Sequence, residues 1–95
     1  MSLSALERWY TSQCNGEWEH SYGVKLNTLD NPGWRVEIDL RDTKKEGVSL
    51  QTVKIERTDD DWIHYWIEKR RFQIACGPGN LSEAIELFVG WFASE

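Results

Sequence analysis

The chain opens and closes on apolar residues at helical spacing, and between these ends its apolar positions alternate with the period of a strand. In residues 3–13, Leu3, Leu6, Trp9 or Tyr10, and then Cys14 recur every three or four positions, which predicts a short amphipathic helix. Ser4 and Glu7 stand in the S-x-x-E relation of a capping box, where hydroxyl and carboxylate satisfy the amides left open at a helix start. Asn15-Gly16 ends the helix, because both residues tolerate the left-handed conformation. At the other end of the chain, Asn80 and Glu83 repeat the cap pattern. Leu81, Ile85, Phe88 and Phe92, widened by Trp91, then form the apolar stripe of a closing helix.

Five strands are predicted between the helices. Residues 21–29 set Tyr22, Val24, Leu26 and Thr28 against Lys25 and Asn27. Asp30-Asn31-Pro32-Gly33 reads as a turn, since proline fixes φ, glycine supplies a positive φ and Asx side chains bond nearby backbone. Over residues 34–41 the alternation is strict. Trp34, Val36, Ile38 and Leu40 take one face, and Arg35, Glu37, Asp39 and Arg41 take a face for solvent or a partner. After a polar connection over 42–47, residues 48–57 make a third strand in which Leu50, Val53 and Ile55 break parity, and a bulge near Gln51-Thr52 would explain the slip. Asp59-Asp60-Asp61 turns the chain into a fourth strand over 62–68. Residues 71–76 make a fifth, with Phe72, Ile74 and Cys76 on one side. Short links favour antiparallel neighbours. The expected fold is therefore α+β: a five-stranded antiparallel meander sheet flanked by an N-terminal and a C-terminal helix, in a single domain over residues 1–95.

Strand four departs from the simple pattern, because both of its faces are apolar or aromatic. Trp62, His64 and Trp66 share one face, and Ile63, Tyr65 and Ile67 the other. If both helices lie on one side of the sheet, one of these sets is left on the opposite side as a patch suited to a protein partner. The competing structure is a curled sheet or a long loop that buries both.

Composition narrows the function classes. Ninety-five residues hold one core, and a 40% hydrophobic fraction with six tryptophans can build it without metal or disulfide. The net charge of −5 argues against direct binding to nucleic acid or to an anionic membrane; Lys69-Arg70-Arg71, the one basic cluster, reads as a solvated turn. Cys14 and Cys76 form no ligand or redox motif and read as buried free thiols. With no basic-then-apolar leader and no run near ~20 apolar residues, a soluble cytoplasmic protein is expected.

Catalytic and cofactor chemistry find little to build on. Glu17 and Glu19 share a face if their segment is extended, but His20 then points away, so no metal site is expected. There is no G-x-S-x-G elbow and no phosphate loop after Gly77-Pro78-Gly79, so neither an enzyme nor a cofactor is expected. Trp9, Trp34 and Trp91 sit on core stripes, which leaves Trp18, Trp62 and Trp66 available. Trp18, between two glutamates, reads equally as a buried anchor for its loop and as an exposed binding aromatic. Exposed tryptophans also suit a small-ligand module that stacks on carbohydrate or nucleotide, which is the alternative function.

The run Gly16-Glu17-Trp18-Glu19-His20-Ser21-Tyr22-Gly23 and the run Asp30-Asn31-Pro32-Gly33-Trp34 together resemble the immunity protein 53 family of bacterial polymorphic-toxin systems. The resemblance extends through the Trp9-Tyr10 helix, Ile38-Asp39-Leu40, Asp60-Asp61-Trp62 and the final helix, nearly the whole chain. It implies a small cytoplasmic antitoxin that binds a cognate toxin stoichiometrically and needs no catalysis. A basic nuclease is a fitting toxin, because an acidic inhibitor gains association rate from electrostatic steering. The residues expected to meet it are Glu17, Trp18, Glu19, Asp30, Asp39, Asp60, Asp61, Trp62 and Trp66, with carboxylates facing Lys or Arg and tryptophans as desolvated anchors. Against this, Asp30 and Asp60 could serve only their turns, and Asp39 could only solvate a sheet face. An exposed edge or aromatic patch is equally open to a homodimer.

Overall fold

Helical and alternating patterns resolve, in the computed structural model, into an antiparallel sheet with its helices on one face; the structure describes residues 2–94. Helix α1 spans Ser2–Gln13 and a single turn, α2, spans Trp18–Ser21. Strands β1 (Val24–Leu29), β2 (Gly33–Asp39), β3 (Val53–Thr58), β4 (Asp61–Glu68) and β5 (Arg71–Cys76) follow, and helix α3 (Leu81–Ala93) closes the chain. The α+β class, the five antiparallel strands and the two flanking helices are as the sequence predicts.

The strand order is β1-β2-β5-β4-β3, so the sheet departs from one continuous meander. A β1–β2 hairpin lies beside a β3–β4–β5 meander, with β2 against β5. The reason lies in residues 40–52. The third strand starts at Val53 rather than near residue 48, and the stretch before it is a long shaped connection. Asp42 (φ 59°) and Gly47 (φ 84°) turn the chain, Thr43 Oγ1 donates to the Leu40 carbonyl at 2.7 Å, and Ile67 N donates to the Leu50 carbonyl at 3.1 Å. Such a length can cross the ends of two strands and deliver β3 to the far edge, whereas the short links on either side of β4 permit only hairpins. The bulge falls between Glu56 and Thr58; Gln51 and Thr52 precede the strand.

The core forms where sheet and helices meet. Val36, Ile38, Ile63, Phe72, Ile74 and Cys76 are fully buried from the sheet, and Leu6, Trp9, Ala84, Ile85, Phe88 and Phe92 face them from α1 and α3. Trp9 meets Trp18, Phe88 and Phe92 edge-on at 5.8, 5.0 and 5.3 Å, the arrangement that ring quadrupoles favour. Because α1 already begins at Ser2, Ser4 and Glu7 lie inside the helix and cannot form the expected capping box; Ser2 Oγ instead donates to Glu86 Oε2 of α3 at 2.7 Å. Asn80 occupies the N-cap position of α3, but its side chain turns toward β4.

Candidate functional site: the uncovered face of the sheet

Strand pairing fixes which side chains share the face that α1 and α3 leave open. Cross-strand partners point the same way. One row therefore runs Lys25, Glu37, Gln73, Trp66, and the next runs Asn27, Arg35, Ala75, His64, Lys54. Trp62 stands opposite Glu56, and Asp39 opposite Arg71 and then Glu68. Ile63, Tyr65 and Ile67 go to the core, so Trp62, His64 and Trp66 form the uncovered set. Of the two arrangements open to strand four, the chain adopts the one that leaves an aromatic stripe half-buried on the sheet's outer side.

Trp66 is held from below. Arg35 Cζ lies 4.9 Å from its ring centroid, Arg35 Nη2 donates to Gln73 Oε1 at 2.6 Å, and Arg35 Nη1 donates to the carbonyls of Val36 and Ile74. Trp66 Nε1 donates to Glu68 Oε1 at 3.1 Å. Trp62 is fixed through its backbone. Its N–H donates to Asn80 Oδ1, and Asn80 Nδ2 donates to Asp61 Oδ1, which ties the start of β4 to the start of α3. Arg57 completes this network with bonds to Asp61 and to Glu83 Oε1 at 2.6 Å. The Arg57 guanidinium, then the Asn80 amide, hold the Asp61 carboxyl below its usual range.

Charge is distributed unevenly around this face. On the face itself Lys25, Arg35, Lys54 and Arg71 match Glu37, Asp39, Glu56 and Glu68 in number. The acid excess gathers at one end of the strands: Asp61 and Glu83 bond Arg57 with Asp59 and Asp60 in the adjoining β3–β4 turn, and Asp30 lies at the same end but on the opposite edge, in the β1–β2 turn. At the opposite end the β4–β5 turn carries Lys69 and Arg70.

The nine residues expected to meet a partner fall into three places. Trp62 and Trp66 are on the uncovered face, with Asp60, Asp61 and Asp30 at its acidic end. Asp39 is at the other end of the face but only 4% exposed, gripped by Arg41 N at 3.0 Å, Arg41 Nη2 at 2.6 Å and Arg71 Nε at 3.6 Å. Burial would raise its carboxyl, but the Arg41 bonds and the Arg41 and Arg71 charges together hold it low. Glu17, Trp18 and Glu19 lie elsewhere, Glu17 at the N-cap position of α2 and the other two in its turn. Trp18 is 2% exposed and donates from Nε1 to the Arg41 carbonyl at 2.8 Å, so it takes the loop-anchoring role of its two readings. Its segment is helical because Asn15 Oδ1 accepts from the amides of Glu17 and Trp18, while the Glu19 carboxylate accepts from those of Asn15 and Gly16. The expected contact set omits Arg35, Glu56 and His64, although strand parity had already assigned Arg35 and His64 to the sets that form the outer faces of their strands. Their importance comes from pairing across strands, which the periodicity of one strand does not encode.

The comparison with protein families decides the class. Residues 3–93 match the family model described as Immunity protein 53. The chain belongs to this family. No curated protein and no solved structure matches it. Among the described residues of this immunity protein, no helix is long and apolar enough to cross a membrane. Its sheet cysteine, Cys76, is fully buried, and burial pushes the thiol up to about 11, far from a reactive thiolate. What the immunity protein offers outward is a broad face with aromatic, cationic and anionic side chains already held in place by their neighbours.

Proposed function

We propose that this immunity protein neutralises a cognate toxin of a bacterial polymorphic-toxin system by stoichiometric association, and that the uncovered face of the sheet is the contact surface. The observation that supports this reading best is the Trp62–His64–Trp66 stripe, left without a covering element on a strand whose other face is core. Interface energy concentrates in aromatic and arginine anchors set in a polar surround, and Trp62, Trp66 and Arg35 have that composition and setting. The acid end of the sheet adds a directional field that accelerates encounter with a basic partner such as a nuclease. The reading places the protein in the cytoplasm and asks no catalysis of it.

Calorimetry against the inactivated polypeptide encoded beside this protein's gene, at two salt concentrations, tests the proposal. One-to-one binding that weakens as salt rises is the expected result. The double substitution Trp62→Ala/Trp66→Ala is expected to leave the fold intact and to weaken binding by at least ~2 kcal/mol, the size of a hot-spot loss. Absence of heat with both partners folded, together with an indole fluorescence response to a sugar or nucleotide, would replace this reading with the small-ligand alternative.

A further inference from the structure

At the acidic end of the uncovered face lies an open recess of about 320 Å³ lined by Glu56, Thr58, Asp59, Trp62, His64 and Ala75. It exists because Ala75 stands between Arg35 and His64 in one cross-sheet row, a methyl group among long side chains. The Trp62 and His64 rings form one wall, their centroids 5.0 Å apart. Glu56 pairs with Trp62 across the β3–β4 ladder, and its carboxylate lies 3.4 Å from His64 Nε2, a buried nitrogen with no hydrogen-bond partner. Asp59 forms no ion pair among the described residues.

The protein itself displays the chemistry that such a wall accepts. On the same strand and face, Trp66 carries the Arg35 guanidinium, and Tyr22, Trp91 and Phe92 are covered by Arg41, Lys45 and Lys44 at 4.7, 5.1 and 5.3 Å. Trp62 has no such cation among the described residues, although carboxylates flank it.

We propose that this recess receives one arginine side chain of the toxin, its guanidinium laid on the Trp62 indole and hydrogen-bonded to Glu56 and Asp59. The proposal rests on the toxin-binding reading above and adds the chemistry of the contact. Arginine is favoured over lysine because its planar, weakly hydrated fork stacks on an indole while bonding two carboxylates, which a compact ammonium cannot do equally well. Asp60 and the neighbouring turn raise the negative potential at the mouth, so the guanidinium is attracted before it docks.

The test has two arms. In the first, the full chain is titrated with N-acetyl-arginine amide at constant ionic strength while the Trp62 and His64 resonances are followed. Saturable shifts at these residues are expected, weaker with the lysine analogue. They should be lost in Ala75→Leu, which fills the recess without altering a charge, and in Glu56→Gln/Asp59→Asn, which removes charge without filling it. An unchanged Trp66 environment in both variants shows that the sheet is intact. Shifts that never saturate, or that persist in both variants, overturn the recess as an arginine site. In the second arm, both variants are expected to bind the inactivated toxin at least roughly tenfold more weakly than the native chain. Native-like toxin binding by both variants overturns the proposal and leaves the toxin-binding reading standing. If the native chain itself fails to bind the toxin, that reading falls, and the first arm alone decides whether the recess takes arginine.

Discussion

Asp39 shows how much one side chain's meaning depends on its neighbours. Strict alternation along β2 places it on the outer face, which is where it lies, but the Arg41 and Arg71 contacts that nearly bury it come from beyond the strand end and from β5. Its folded pKa is depressed, so its stabilisation is present above the unfolded value of about 3.9 and is lost as pH falls through the lower folded value. Asp39→Asn should therefore cost about 1–3 kcal/mol at neutral pH, and the two proteins should converge in stability in strong acid. Denaturant unfolding at neutral pH and near pH 2 checks this. Trp18 gives the sharper contrast. Trp18→Ala removes a core ring and the bond to Arg41, and should cost roughly 3–5 kcal/mol, enough to unfold a marginal protein. Trp62→Ala should stay folded with a melting temperature close to native, because its ring faces outward. The placement of Trp62 beside His64 and Trp66 on one face of β4 was legible in the sequence from strand parity, though not whether that face would be covered. That of Trp18 was not, since the reciprocal Asn15 and Glu19 bonds choose a helical turn over an extended one, and no apolar period marks so short an element.

At the scale of elements, β2, β5 and α3 could be read within a residue or two because each has an unambiguous apolar period, and β4 as closely from the acidic turn that precedes it. The strand order could not. A polar stretch with Leu50 in it looks like the start of a strand until the pairing of β2 with β5 is known, and that pairing is a contact distant in sequence. The β4–β5 turn carries its own surprise. Lys69 and Arg70 both have positive φ, 57° and 63°, the signature of a type I′ hairpin turn that Asn-Gly fills with least strain. A side chain in this region costs about 1–2 kcal/mol, so Lys69→Asn/Arg70→Gly should stabilise the protein by an amount of that order. The bond from Leu40 N to the Arg70 carbonyl uses backbone atoms alone and should survive the change. Thermal unfolding of the double variant decides it; a lower melting temperature would mean that the two basic side chains contribute more than their backbone strain costs.

Across the whole molecule, the layered arrangement gives the sheet one packed side and one open side. One side of the sheet spends its apolar residues on α1 and α3. The other keeps its aromatic rings half-open and its charges balanced, with the acid excess pushed to one end. Net charge alone says nothing of where the acid excess lies, and only the fold reveals a polarity along the strands. Apart from the buried Asp39 and Gln73, the outer side chains can therefore vary with little effect on the core, as expected if recognition and folding depend on different residues.

Cys76 gives this architecture a gauge of its own opening. It sits on the strand flanked by β2 and β4, beneath α3 and away from either edge, so a thiol reagent can reach it only when the sheet comes apart. Cys14, half-buried near the end of α1 with its Sγ donating to the Tyr10 carbonyl, is open to reagent in the folded chain. A labelling time course should therefore be biphasic, with a fast phase from Cys14 and a slow one from Cys76. The slow phase should track the population of globally opened molecules, accelerate with denaturant in proportion to the loss of stability, and slow on binding of any ligand that prefers the native state. Comparable rates at the two thiols would mean instead that the sheet opens locally around β5.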